Sequence, residues 1–255
     1  ETFFRRTYLT RGLQHLVDEV KRRLQGEGGD PVIQLQTPFG GGKTHALIAL
    51  YHHAEAWGAK RAVLVGDALP GSAALWGVLE EQLTGAPTRL SSPTAPGREA
   101  LRAVLEPHQP LLILADELLE YVTKAAGEQV GESTMAAQTM AFMQELTETV
   151  ASLPRACLVV TLPSSLLERY DASAERLFQQ VQKVVGRVER VLTPVAEDEV
   201  ASVIRRRLFE HVDEREAAAV VDAYLEYAER EGLLPAGTEP VDYRRRFLAS
   251  YPFLP

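Results

Sequence analysis

The chain has 255 residues, 45% of them hydrophobic, and its 35 acidic side chains outnumber 27 basic ones for a formal net charge of −8. This length predicts one large domain, or a domain with a small appendage, and the apolar content is ordinary for a sizeable core. The acidic balance weighs against a nucleic-acid footprint over the whole surface, and with no run of about eighteen apolar residues no transmembrane helix is predicted.

The opening Phe3-Phe4 is followed at once by Arg5-Arg6, which is not the pattern of a signal peptide. The chain begins at Glu1 and stops at Phe253-Leu254-Pro255, and reads as a piece excised from a longer protein. Thr10 is placed to cap a helix over residues 11–24, with Leu13, Leu16, Val17, Val20 and Leu24 on its apolar face. The Gly-rich stretch 26–31 ends it and leads to a first strand, 32–36. There the chain reads Thr37-Pro38-Phe39-Gly40-Gly41-Gly42-Lys43-Thr44-His45 and passes into an apolar helix through Leu47, Ile48, Leu50 and Tyr51. Strand, glycine turn, Lys-Thr and helix make the layout of a phosphate-binding loop. Three glycines let backbone N–H groups turn inward on an anion, and the helix adds its positive end. Residues 38–45 are the candidate phosphate-binding residues. Lys43 is expected on the β- and γ-phosphates and Thr44 on Mg²⁺. Thr37 stands where the usual pattern has its first glycine.

A second strand is predicted over 62–65, a helix over 73–83, a Pro/Ser/Thr-rich loop over 86–97 and a helix over 98–105. The third strand, 111–115, is a run of five apolar residues that ends in Asp116-Glu117. A phosphate-binding loop needs a carboxylate on a nearby strand end to hold its metal, and ligands of open α/β sheets collect at that edge. Asp116 is the candidate Mg²⁺ residue and Glu117 the candidate that polarises water. A helix over 133–153 follows, then a fourth strand, 157–161, closed by Pro163. Thr161 at its tip is a candidate for sensing the γ-phosphate, with Ser164 and Ser165 as alternatives. Cys157, the single cysteine, lies in this apolar run and reads as a small core residue of a reducing cytoplasm. A helix over 172–185 and a short fifth strand over 187–192 complete the alternation.

Strands alternating with helices predict an α/β three-layer sandwich built on a five-stranded parallel sheet. After Thr193-Pro194 only helical periodicity remains, over 197–209, 213–230 and 242–250. The predicted organisation is therefore an α/β domain, 1–193, and a small all-helical lid domain, 194–255, cut short at its C-terminus. An arginine is the remaining expected part, because a guanidinium stabilises charge on the transferred phosphoryl group. Arg187 and Arg190 are candidates for a finger supplied in trans, and Arg244 to Arg246 for a sensor in cis. His45, His52 and His53 lie too far apart along the helix for a metal site and read as packing or surface. Trp76 reads as core.

These residues resemble AAA+-type P-loop ATPases. Within them the chain is similar to a prokaryotic family of large proteins known as a domain of unknown function and encoded beside DNA methylases in phage-defence islands. The Pro38 to His45 run, Arg6 to Thr10, Leu50 to His52, Trp76-Gly77, Leu114 to Glu117 with Tyr121, residues 160–165, Arg190 to Val195 and Tyr251 to Phe253 carry the likeness. It implies the ATPase module of a longer cytoplasmic chain, using ATP and Mg²⁺. The implied partners are other domains and the subunits of a DNA-modification or defence complex. DNA contact through the full-length protein and a homo-oligomeric state stay open. Three functional expectations follow: a hydrolase that remodels DNA or a protein complex, a slow ATP-gated switch or scaffold, and a small-molecule kinase. The last has no acceptor pocket legible in the sequence.

Overall fold

The computed structural model describes residues 2–5, 7–37, 42–163, 172–185, 189–196 and 199–254. The chain folds as two compact units, Gly12–Pro194 and Glu1–Arg11 with Val195–Pro255.

The larger unit holds a parallel sheet. Its strands are β1 (Val32–Thr37), β2 (Lys60–Val65), β3 (Leu111–Asp116), β6 (Ala156–Pro163) and β7 (Glu189–Leu192), hydrogen-bonded in the order β2-β3-β6-β1-β7. A separate hairpin of β4 (Gln129–Val130) and β5 (Ser133–Thr134) is antiparallel. The helices of the unit are α2 (Arg11–Gln25), α3 (Lys43–Ala56), α4 (Leu75–Thr84), α5 (Arg98–Leu105), α6 (Leu118–Ala125), α7 (Met135–Ser152) and α8 (Ala172–Val185). The α/β class with a parallel sheet is the expected one.

Side chains of a strand alternate between faces, and here both faces are covered. Ala62, Leu64, Ile113, Ala115, Leu158 and Val160 join one core cluster with residues of α4 to α8. The alternate residues Val63, Val65, Leu114 and Asp116 line a groove with Thr44, Leu47, Ile48 and Tyr51 of α3. All six residues of β3 are buried, as a strand covered on both faces requires. The edge strand β2 is half covered, and an open edge invites pairing with another chain. Gln82 closes it at one point: its side-chain amide accepts from the Val63 N–H and donates to the Val63 carbonyl, both at 2.8 Å.

One difference from the predicted elements bears on the site. Helix α6 begins directly after Glu117, where no helix was expected. Leu118, Leu119, Tyr121, Val122 and Ala125 are its buried face, a helical spacing obscured by the strand before it. The loop 86–97 is anchored. The buried Glu80 carboxylate accepts the N–H groups of Thr88, Arg89 and Leu90 and the Thr88 hydroxyl at 2.7 to 3.0 Å, and the wholly buried Trp76 donates its indole N–H to the Ser92 carbonyl at 2.7 Å.

The smaller unit contains α1 (Thr2–Arg5), α9 (Val200–Leu208), α10 (Glu214–Arg230) and α11 (Pro240–Ser250). Val221, Leu225, Tyr243 and Phe247 form its core. Asp213 caps α10 by accepting from the N–H groups of Arg215 and Glu216. Residues 1–11 group with this unit and not with the α/β domain as expected. One physical reason is the Arg11 N–H, which donates to the Glu199 carboxylate at 2.9 Å.

Candidate functional site

The glycine turn hands over to α3 at Gly42. Its φ of 81° and ψ of 14° lie in the left-handed region, where a Cβ is costly. The Gly42 carbonyl accepts from the Ala46 N–H at 2.9 Å, so the helix starts at Lys43. Pro38, Phe39, Gly40 and Gly41 lie outside the described residues. Lys43 and His45 are half-buried and Thr44 is exposed. Burial lowers the proton affinity of the Lys43 amine, and the negative charges of Asp116 and Glu117 pull partly the other way. Lys43 opens α3 directly before Thr44, which lines the same groove as Asp116.

The register explains the meeting of strands. β6 pairs with β3 on one side and with β1 on the other. Thr161, near the C-terminal end of β6, therefore sits between the strand that leads into the glycine turn and the strand that ends in Asp116. Its hydroxyl donates to Asp116 Oδ1 at 2.6 Å and accepts from the Glu117 N–H at 3.0 Å. Asp116 is buried on the α3 side of the sheet and shares the groove there with Thr44.

Glu117 is the only non-glycine with positive φ among the described residues, at φ 52° and ψ 40°. That backbone costs about 1–3 kcal/mol and persists only where the surroundings over-determine it. The conformation turns the chain sharply from strand into α6, so Asp116 and Glu117 project differently. Burial raises the proton affinity of the Glu117 carboxyl. Asp116, Asp67 and Glu120 raise it further, against the opposing charge of Lys43.

The structure thus brings together Lys43, Thr44, Asp116, Glu117 and Thr161. Arg187, Ser164 and Ser165 lie outside the described residues. Arg190 is on β7, in register with Ile33 of β1. Arg244 is held in a two-pronged pair with Asp222 within the helical unit, at 2.6 and 3.0 Å; Arg245 pairs with Asp242, and Arg246 is exposed. His53 stacks on Trp57 and His52 meets Tyr51 edge-on. Among the described residues no group of three His, Cys, Asp or Glu could hold a metal. A hydroxyl and one carboxylate, Thr44 and Asp116, are a donor set that suits Mg²⁺, which keeps several waters and binds few protein oxygens.

Sequence reasoning missed Gly66, Asp67 and Glu120. Gly66-Asp67 follows β2 at the same sheet edge where Asp116 emerges, and Glu120 lies one helical turn past Glu117. Those positions were the available signals.

A parallel α/β sheet, with a glycine-rich Lys-Thr segment after one strand and an acidic pair after another, is the arrangement of this chain. Residues 1–69 match the family model described as the DUF499 N-terminal domain. No curated protein matches. Among solved structures, one described as a DNA replication initiation factor is similar at 15% identity, over 93% of this chain and 60% of that one, with a TM-score of 0.39. Drosophila ORC bound to GC-rich DNA and Cdc6 is similar at 18% identity, over 86% of this chain and 34% of that one, with a TM-score of 0.42. The chain spans less than two thirds of the length of either. Among the described residues no helix is long and apolar enough to cross a membrane.

Proposed function

We propose that this chain binds ATP with Mg²⁺ and hydrolyses it. The observation that carries the reading is the Thr161 hydroxyl, which ties the Asp116 carboxylate to the Glu117 backbone, while Asp116 shares a groove with Thr44. Lys43 would hold the β- and γ-phosphates, aided by the glycine turn. Thr44 and Asp116 would hold Mg²⁺ and its waters, and the ion when bound would neutralise charge across the phosphates. Glu117 would accept a proton from the attacking water; its raised proton affinity suits that task. Thr161 would report the state of the γ-phosphate to both acidic residues. The helical domain predicted over 194–255 would act as a lid whose motion follows γ-phosphate loss. A cytoplasmic DNA-modification or phage-defence setting, with other domains and subunits as partners, rests on the family resemblance and belongs to the same proposal.

One observation favours a second reading, a slow switch or scaffold. Arg244, the first candidate for a cis sensor, is already engaged by Asp222. The guanidinium would then come from Arg246, or from Arg187 or Arg190 of a neighbouring copy, and such a group is worth about 10³–10⁵ in rate. Turnover measured with and without DNA separates the readings: stimulation supports remodelling, flat and very slow turnover supports the switch. Lys43→Ala is expected to abolish binding of labelled ATP, and Glu117→Gln to bind ATP while hardly hydrolysing it. Unchanged binding in the first variant would remove the phosphate-loop assignment; near-normal hydrolysis in the second would place the base elsewhere.

A further inference from the structure

The loop after β2, residues 66–74, is fastened along one face of α6. Residues 117, 121 and 124 are spaced four and three apart, so they fall on one side of the helix and its cap. Each meets the loop. Gly66 donates its N–H to the Asp116 carbonyl at 2.8 Å, and a Cβ on Gly66 would stand 2.1 Å from the Glu117 carbonyl oxygen. The Tyr121 hydroxyl donates to the Ala73 carbonyl. Lys124 Nζ donates to the carbonyls of Asp67 and Leu69, both at 2.7 Å. Gly71 lies against the Lys124 backbone, where a Cβ would come within 2.7 Å of its carbonyl oxygen.

Glu117 therefore has its left-handed backbone held from two sides. Thr161 takes its N–H, and the loop backbone at Gly66 blocks its carbonyl from swinging toward β2. The carbonyl is left to accept from the Glu120 N–H at 3.1 Å and start α6. The first hold comes from the sheet. The second depends on the loop staying down, and the one charged side chain in that fastening is Lys124. Its two bonds are charge-assisted, and the residue is otherwise exposed, so its removal opens no core cavity.

We propose that Lys124 is a positioning residue: by tying the loop after β2 to α6 it keeps Glu117 in the backbone conformation that aims its carboxylate at the reacting water. The proposal rests on the ATPase reading above, and the loop and the catalytic carboxylate then move as one body. Asp67, Ala68 and Pro70, exposed on the outside of the loop, are where a pull on that body would be applied.

The test uses Lys124→Met and Lys124→Arg in the whole chain, with amide hydrogen exchange at residues 117–121, nucleotide affinity and turnover as readouts. Lys124→Met is expected to speed exchange at Glu117, Glu120 and Tyr121 by about tenfold while leaving the other sheet-end amides unchanged. It should lower kcat by about tenfold with KM and ATP affinity within about twofold of the parent. Lys124→Arg, which also donates twice, should restore most of both. Gly66→Ala should reproduce the Lys124→Met phenotype by pushing on the Glu117 carbonyl; if it does not fold, Lys124→Met still decides. Unchanged exchange in Lys124→Met overturns the proposal. So does unchanged kcat in a parent that turns over, or an equal loss of binding and turnover. If the parent binds ATP but never hydrolyses it, the ATPase reading has failed instead, and the exchange at 117–121 alone judges the fastening.

Discussion

Thr161 has one hydroxyl and uses it twice, as donor to Asp116 and as acceptor from Glu117. Thr161→Val keeps the shape and removes both bonds. It leaves a buried carboxylate oxygen and a backbone N–H without this partner, which is expected to cost about 1–3 kcal/mol in chemical denaturation. Hydrolysis should fall at least about tenfold, while ATP affinity changes far less, because Lys43 and the glycine turn are untouched. Normal hydrolysis with lowered stability would reduce Thr161 to a structural brace. Lys43, Thr44, Asp116 and Glu117 were legible as candidates because each belongs to a short local pattern whose chemistry depends on neighbours in sequence. Thr161 was legible as a hydroxyl at a strand tip, but its partners were not, since they are 44 and 45 residues away. Nor was the occupation of Arg244 by Asp222, a pairing across 22 residues. Cys157 was readable as core. It is wholly buried, and burial pushes its thiol up to about 12, which keeps it protonated and unreactive at neutral pH.

The strands could be read from sequence because a strand buried on both faces has to be apolar throughout, as β3 is. The α4–loop connection could not. Glu80 is a charged residue on a predicted helix, yet it is buried and organises residues 88–90. Burial opposes its ionisation, but the N–H groups of Arg89, Leu90 and Thr88 and the Thr88 hydroxyl outweigh it and hold the carboxyl below its ordinary range. A carboxyl depressed in the folded state stabilises that state above its unfolded pKa. The contribution is lost as pH falls from the ordinary carboxylate range through the lower folded value. Urea denaturation across that window should therefore show an acid-side loss that Glu80→Gln lacks. The variant should be less stable at neutral pH by about 1–3 kcal/mol, because an amide nitrogen replaces an acceptor. A parent and variant with parallel pH curves would show that Glu80 carries no such linkage. Arg23 is a similar case on α2: its guanidinium donates to the carbonyls of Val150, Ala151, Leu153 and Ala156 and closes the C-terminal end of α7.

The two compact units hold very different amounts of core. The α/β unit buries residues from both faces of its sheet, whereas the core cluster of the helical unit is Val221, Leu225, Tyr243 and Phe247 with partly buried neighbours. Apolar burial is the main stabilising term, and small cores are marginal. Amides of α10 and α11 are therefore expected to lose hydrogen-exchange protection at lower urea than those of β1, β3 and β6. Simultaneous loss of protection in both sets would mean that the units unfold as one. The change from strand-helix alternation to helices alone was visible near Pro194. The membership of residues 1–11 was not, because nothing local to that segment signals a partner at Glu199.

Composition and spacing alone were enough for the α/β class, the apolar strands, the phosphate-loop pattern and the acidic pair. All of these are set by interactions within a few residues, and they leave a period or a motif in the sequence. Other features required the strands to be laid side by side. The order β2-β3-β6-β1-β7 places the strand of Thr161 between β1 and β3, and the left-handed Glu117 is braced by Gly66 across from it. Such contacts join residues tens of positions apart, and each residue taken alone has several equally plausible partners. Only close packing of the sheet and α6 selects among them.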